Sequence, residues 1–282
     1  MERVMTKELL EQYQDYLFNE EKEAATIEKY MRDLKKFTSF TGEQELNKSL
    51  VIAYKNYLRE QGYKISSINS FLVAVNRFFI FAGWHELRVK AYRKQREVFC
   101  AENRHLTKAE YQRLVRTASK NGRDRLAMIL QTICATGIRI SELTFVTVES
   151  VYDGMMEIHC KGKLRTVLFP KRLQKLLKKY ISKNEIGEGY VFCTSGGKPV
   201  DRSNVWREMK TLCKEAGVDE EKVFPHNLRH LFAQVFYEIK KDIAKLADIL
   251  GHSSIETTRI YMKTSSREHR KQLEMMGLVL EI

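Results

Sequence analysis

Residues 155–169, MMEIHCKGKLRTVLF, interrupt a chain otherwise patterned in helical periods. The segments MMEIHC and RTVLF have strand character, and turn signals stand at Asp153-Gly154 and Lys161-Gly162-Lys163, so a small antiparallel sheet is predicted, with FVTV at 145–148 as a further β-type segment. Outward from this stretch the apolar period lengthens to that of a helix. Helices are predicted upstream at 107–120 and 123–136, and downstream at 171–183, 202–216, 227–239, 241–250, 255–264 and 267–276. Thr107 and Glu110 have the spacing of a capping box and open this second domain.

The first hundred residues carry four more helical stretches. Leu9, Tyr13 and Leu17 mark the first, and Ile27, Tyr30, Leu34 and Phe37 the second. Leu50, Tyr54 and Leu58 mark the third, and Ile68, Leu72, Val75 and Phe79 the fourth. Gly42, Gly62 and Gly83 punctuate the last three. With only three prolines, the fold class is mainly α with a small antiparallel β-sheet, in two domains. The expected division is a helical bundle over 1–84, a connector over 85–104 and a second domain over 105–282. The connector loses helical periodicity and bunches Arg88, Lys90, Arg93, Lys94 and Arg96. Such a run either faces solvent or crosses a phosphate backbone.

At 282 residues, 43% hydrophobic and 30% charged, the chain has the length of roughly two domains, enough to bury at least one sizeable core, and lacks the composition of a disordered protein. No run of eighteen apolar residues suggests a membrane span, and MERVMTKELLEQ is too acidic for a secretory signal, so a cytoplasmic location is expected. The net charge of +13 is uneven. Residues 1–103 hold 17 basic and 15 acidic side chains, whereas residues 104–282 hold 32 and 21. A polyanion is therefore expected to meet the second domain. The five cysteines include no C-x-x-C pair, and His159 and Cys160 are adjacent strand residues facing opposite ways, so no metal site is expected. No phosphate-binding glycine loop is present, and no nucleotide cofactor is expected.

Three motifs carry chemistry. His226-Asn-Leu-Arg229 follows Pro225 at a helix start, placing imidazole and guanidinium on neighbouring positions of one face. Thr136-Gly137-Ile-Arg139 lies at a helix junction, where Arg139 either reaches an anion or forms an interhelical ion pair. Leu250-Gly251-His252 ends a helix and Thr257 to Tyr261 lies in the next, with Ile260 as the expected apolar anchor and Tyr261 projecting away from it. Two arginines, two histidines, a hairpin lysine and a tyrosine suit attack on a phosphodiester. Guanidiniums match phosphate geometry and stay charged, histidine takes a proton from the phenol, and lysine supplies one to the leaving oxygen.

A-T-G-I-R-I-S-E-L (135–143), C-K-G-K (160–163), H-N-L-R-H (226–230) and L-G-H-S-S-I-E-T-T-R-I-Y (250–261) together resemble the boxes of the tyrosine recombinases, also called the phage integrase family. The resemblance is to the Xer-like and integron or transposon integrases without an arm-binding domain. It covers both domains, with residues 1–84 resembling the core-binding, SAM-like bundle. It implies Tyr261 as nucleophile, forming a 3′-phosphotyrosyl bond and releasing a 5′-hydroxyl. Arg139 and Arg229 would hold the scissile phosphate, Lys161 would protonate the leaving oxygen, His226 would act as acid or base, and His252 would hydrogen-bond the phosphate. Alignment on the K-G-x box selects Lys161, leaving Lys163 a DNA contact. The implied partner is double-stranded DNA with specific sites, bound by a homotetramer whose apolar tail (Leu273 to Ile282) docks on a neighbouring protomer. Lys263 departs from the His common there in relatives. A type IB topoisomerase would share the intermediate but is expected to carry Lys in place of His226; a vestigial DNA-binding regulator would have lost at least one of the six positions.

Overall fold

The computed structural model describes residues 3–93, 105–160, 163–194, 196–262, 270, 274 and 275, with the backbone alone for 160, 163 and 262. The chain divides into two compact units, Met1–Arg96 and Glu97–Ile282.

The first unit is a bundle of α1 (Lys7–Asn19), α2 (Ala24–Thr41), α3 (Lys48–Glu60) and α4 (Ile65–Phe81). Thr6 and Asn47 cap α1 and α3 by accepting from the Leu9 and Leu50 amides. The apolar stripes meet in an aromatic core of Tyr13, Phe37, Tyr54, Phe78 and Phe79, in which Tyr13 stands edge-on to Phe78 at 5.3 Å between ring centres. Residues 85–93, the first part of the expected connector, are packed on this bundle. Asn76 donates to the Val89 carbonyl at 2.8 Å and accepts from the Val89 amide at 2.9 Å, and Asn69 treats Tyr92 in the same way. Each side-chain amide thus stands in for a strand neighbour. Leu87 and Val89 turn inward and are buried, which leaves Arg88, Lys90 and Arg93 exposed. Lys94 and Arg96 lie outside the described residues.

The second unit begins with α5 (Lys108–Lys120), opened by the expected Thr107–Glu110 capping box, and α6 (Asp124–Thr136). A 3-10 turn (Ile140–Phe145) and α7 (Val148–Asp153) lead into a hairpin of β1 (Met155–Cys160) and β2 (Lys163–Leu168). Its register pairs Met156 with Val167, Ile158 with Arg165 and Cys160 with Lys163. Met156, Ile158 and Val167 face the core while Glu157, His159 and Thr166 face outward, the period-two pattern of a half-buried hairpin. Helices α8 (Lys171–Lys183), α9 (Arg202–Ala216), α10 (Pro225–Lys240), α11 (Ile243–Leu250) and α12 (Ile255–Arg259) follow, and a 3-10 turn (Ile260–Met262) succeeds α12. Leu130, Ile133, Leu177, Met209, Leu212 and Leu228 centre the main core.

Two local expectations are corrected. FVTV is not a strand: Phe145 closes the 3-10 turn, Val148 opens α7, and Thr147 alone makes an isolated bridge, to Tyr190. The Thr147 hydroxyl accepts from the Ser150 amide, so a local cap overrides β-propensity. The helix expected to run to 264 stops as an α-helix at Arg259. Most of the helix expected over 267–276 lies outside the described residues. No described helix is long and apolar enough to cross a membrane.

Candidate active site

Helix α6 ends at Gly137, whose φ is +68°. A Cβ there would stand 2.5 Å from the Phe232 ring of α10, so only glycine permits both the left-handed turn and this approach. The approach delivers Arg229, also on α10, to the end of α6. Its guanidinium donates to the Gly137 carbonyl at 2.6 Å, to the Leu250 carbonyl ending α11 at 2.7 Å, and to His252 Nε2 at 3.0 Å. Arg229 is 1% exposed, and it caps the carbonyl ends of two helices at once. Burial, with Arg139 nearby, lowers its pKa to about 10, which leaves it charged at neutral pH.

The counter-charge is Glu142, 3% exposed. Its carboxylate accepts from the Arg139 amide at 2.6 Å, the Arg139 guanidinium at 2.8 Å and Arg165 at 2.6 Å, and lies 3.9 Å from Arg229. Three arginines therefore share one buried carboxylate. Arg139 keeps much of its side chain in solvent, so the ion pair expected of it and the capacity to meet an anion coexist in one residue.

Tyr261 lies against this cluster and is 3% exposed, whereas Ile260 is 55% exposed. The expected roles of the pair are thus reversed: the 3-10 turn after α12 rotates Tyr261 inward, onto Ala233, Leu246 and Leu250. Three imidazoles surround the phenol ring. His226 is centred 5.6 Å from it, His252 5.8 Å and nearly parallel, and His230 5.1 Å and edge-on. The ring also lies close enough to Arg229 for the two groups to interact electrostatically.

The histidines are biased towards the neutral form. Burial, then Arg229 and Arg139, bring His252 down to about 4. Because a guanidinium only donates, His252 Nε2 must accept, which puts the proton on Nδ1, donated to Thr258 Oγ1 at 2.9 Å. Burial takes His230 to about 4 as well, with His105 stacked on it at 4.2 Å. His226 is lowered by desolvation and by Arg229 and Arg139, an effect tempered by solvent on its exposed side.

Beside the cluster opens a cleft of about 600 Å³ lined by Arg139, Glu142, Arg165, Gly251, His252 and Thr257. Ile158, Leu164 and Asp248 join them in its wall, so two arginines there face two carboxylates beside apolar surface. The structure brings Arg139, His226, Arg229, His252 and Tyr261 together. Lys161 lies outside the described residues, and Lys163 opens β2 with only its backbone described. Sequence reasoning missed Glu142, Arg165 and His230. An acidic residue three positions after Arg139 and an arginine within the β-type run RTVLF were the available signals.

A phage integrase family model matches residues 104–268, and a phage integrase N-terminal SAM-like domain model matches residues 10–86. Tyrosine recombinase XerA of Pyrococcus furiosus is 32% identical over 182 residues, 62% of each chain. Tyrosine recombinase XerD of Chlamydia trachomatis is 34% identical over 150 residues, 50% of this chain and 49% of its own length. The chain thus spans about half to three-fifths of the length of these relatives. The crystal structure of XerA recombinase superposes with a TM-score of 0.54 at 26% identity, covering 98% of this chain and all of the other. A dimer of the 75–356 fragment of lambda integrase bound to a COC′ core site shares the fold with a TM-score of 0.74 at 18% identity, covering 93% of this chain and 96% of that fragment.

Proposed function

The chain belongs to the phage integrase family of tyrosine recombinases, and from that premise we propose that it breaks and rejoins double-stranded DNA at specific sites through a tyrosyl phosphodiester on Tyr261. The observation that carries the reading is the buried Tyr261 set beside the buried Arg229 guanidinium and ringed by three histidines.

The Tyr261 oxygen attacks the scissile phosphorus, the bond to the 5′-oxygen breaks, and the DNA 3′-end is left esterified to the enzyme. His226, largely neutral, takes the phenolic proton, and Lys161 supplies one to the departing 5′-oxygen. Arg139 and Arg229 neutralise charge gathering on the non-bridging oxygens, and His252 adds a hydrogen bond there. Attack by a 5′-hydroxyl from a second duplex reverses the step and exchanges strands through a Holliday junction. The ester conserves the bond energy, so no nucleotide cofactor is required. The working assembly is a homotetramer on two sites, each protomer's apolar C-terminal tail seated on a neighbour. Arg88, Lys90 and Arg93 project from the bundle as phosphate contacts, joined by Lys94, Arg96 and Lys163.

The test uses duplexes selected for binding from a randomised pool and nicked within the selected site. The wild type is expected to yield a protein–DNA adduct that survives denaturation; Tyr261→Phe is expected to bind with unchanged affinity and form none. An undiminished adduct in the variant refutes the assignment.

A further inference from the structure

Strand β2 alternates, and its inner row carries an arginine. Val167 is buried in the core, yet two positions earlier on the same face stands Arg165, register partner of the 1%-exposed Ile158. Packing alone calls for an aliphatic residue here, since a cation taken from water costs free energy unless it is fully paired. Arg165 is paired on both sides of its fork. One amino group donates to Glu142 at 2.6 Å and the other to the Ile249 carbonyl, in the last turn of α11, at 3.0 Å. Its side chain is 14% exposed and lines the cleft. Gly251 makes room for it: a Cβ there would lie 2.7 Å from Arg165 Cδ.

We propose that Arg165 is a positioning residue for the phosphate pocket, fixing Arg139 through their shared carboxylate Glu142 and fixing His252 through the end of α11. The inference rests on the recombinase reading of that pocket. A strand, a 3-10 turn and a helix end, distant in sequence, are tied at one planar group, and each bears or adjoins a phosphate-facing residue. Lysine, with a single ammonium, cannot span the carboxylate and the carbonyl with the same fixed fork. The glycine of the Leu250-Gly251-His252 motif then has two tasks, the left-handed turn at φ +65° and the passage of this side chain.

The test compares full-length wild type, R165K and R165M on the nicked duplex, with a normal scissile phosphate and with an uncharged methylphosphonate in its place. The methylphosphonate gathers less charge in the transition state, so it depends less on well-placed guanidiniums. Both variants are expected to bind DNA within about twofold of wild type and to form adduct about 30- to 100-fold more slowly on phosphate. On methylphosphonate the deficit is expected to shrink below about threefold. An equal deficit on both substrates, or no deficit, overturns the proposal, as does failure of both variants to fold. No adduct from the wild type on either substrate sinks the recombinase reading and this inference with it; an adduct from the wild type and an equal one from the variants sinks this inference alone.

Discussion

The two units bury different things. The N-terminal bundle fills its interior with rings, and of its described residues only Asp33 and Thr41 are polar and buried. The C-terminal unit encloses Glu142, Asn227, Arg229 and His230, and Arg229 and His230 border Tyr261. Buried rings contribute through area and edge-to-face contact, whereas a buried charge must be matched by partners and adds little net stability. A cluster of matched charges therefore marks a place shaped by something other than folding. Two tyrosines show the contrast in miniature. Tyr13 is fully buried with an unpartnered hydroxyl, its pKa pushed up by desolvation, while Tyr261 lies beside a guanidinium and three imidazoles.

The sharpest way to break the comparison is to neutralise one buried carboxylate in each unit. Glu142→Gln strands the guanidiniums it serves, and a loss of about 3 kcal/mol in the C-terminal unit is expected. Asp33→Asn, whose partner Lys29 also donates to the Ser70 carbonyl, is expected to cost about 1 kcal/mol. Denaturant titration followed by hydrogen exchange in each unit reads both values. Equal losses would remove the distinction.

Acid is expected to act on one unit more than the other. His230 and His252 titrate near 4 in the fold, below the ordinary 6.5. Between those values the unfolded chain binds more protons, so the stability these histidines contribute is present above pH 6.5 and lost as pH falls towards 4. For His230 the loss is on the order of 2 kcal/mol. The described N-terminal residues include no buried histidine. Hydrogen exchange on the full chain at pH 7 and 4.5, corrected for intrinsic rates, should show the C-terminal unit opening first; uniform loosening would contradict the assignment.

The smallest effect sharpens the tyrosine contrast. Tyr13→Phe removes a hydroxyl that no partner satisfies, so thermal unfolding is expected to be unchanged or raised, by up to about 1 kcal/mol. A drop of more than that would reveal a partner for the Tyr13 hydroxyl.

Much of this architecture is legible in the sequence because local rules act undisturbed. Gly42, Gly62 and Gly83 all adopt positive φ at the ends of the helices they punctuate, and Thr107 caps α5 as its spacing predicts. Arg139, His226, Arg229, His252 and Tyr261 are legible through their boxes and converge in space. What escapes is set by tertiary contact. Thr147 turns a β-favouring run into a helix start, and the 3-10 turn exchanges the burial expected for Ile260 and Tyr261. Arg165 reads as a surface charge until the hairpin register turns it inward, where Glu142 awaits it. Such pairs are separated along the chain, so no local period announces them.

The residue to which DNA becomes attached decides whether Tyr261 is the nucleophile. Proteolysis of the denatured wild-type adduct, followed by mass spectrometry of the nucleotide-bearing peptide, should place a 3′-linked phosphodiester on Tyr261 and on no other residue. A modification mapped to a serine, a histidine or another tyrosine would contradict it.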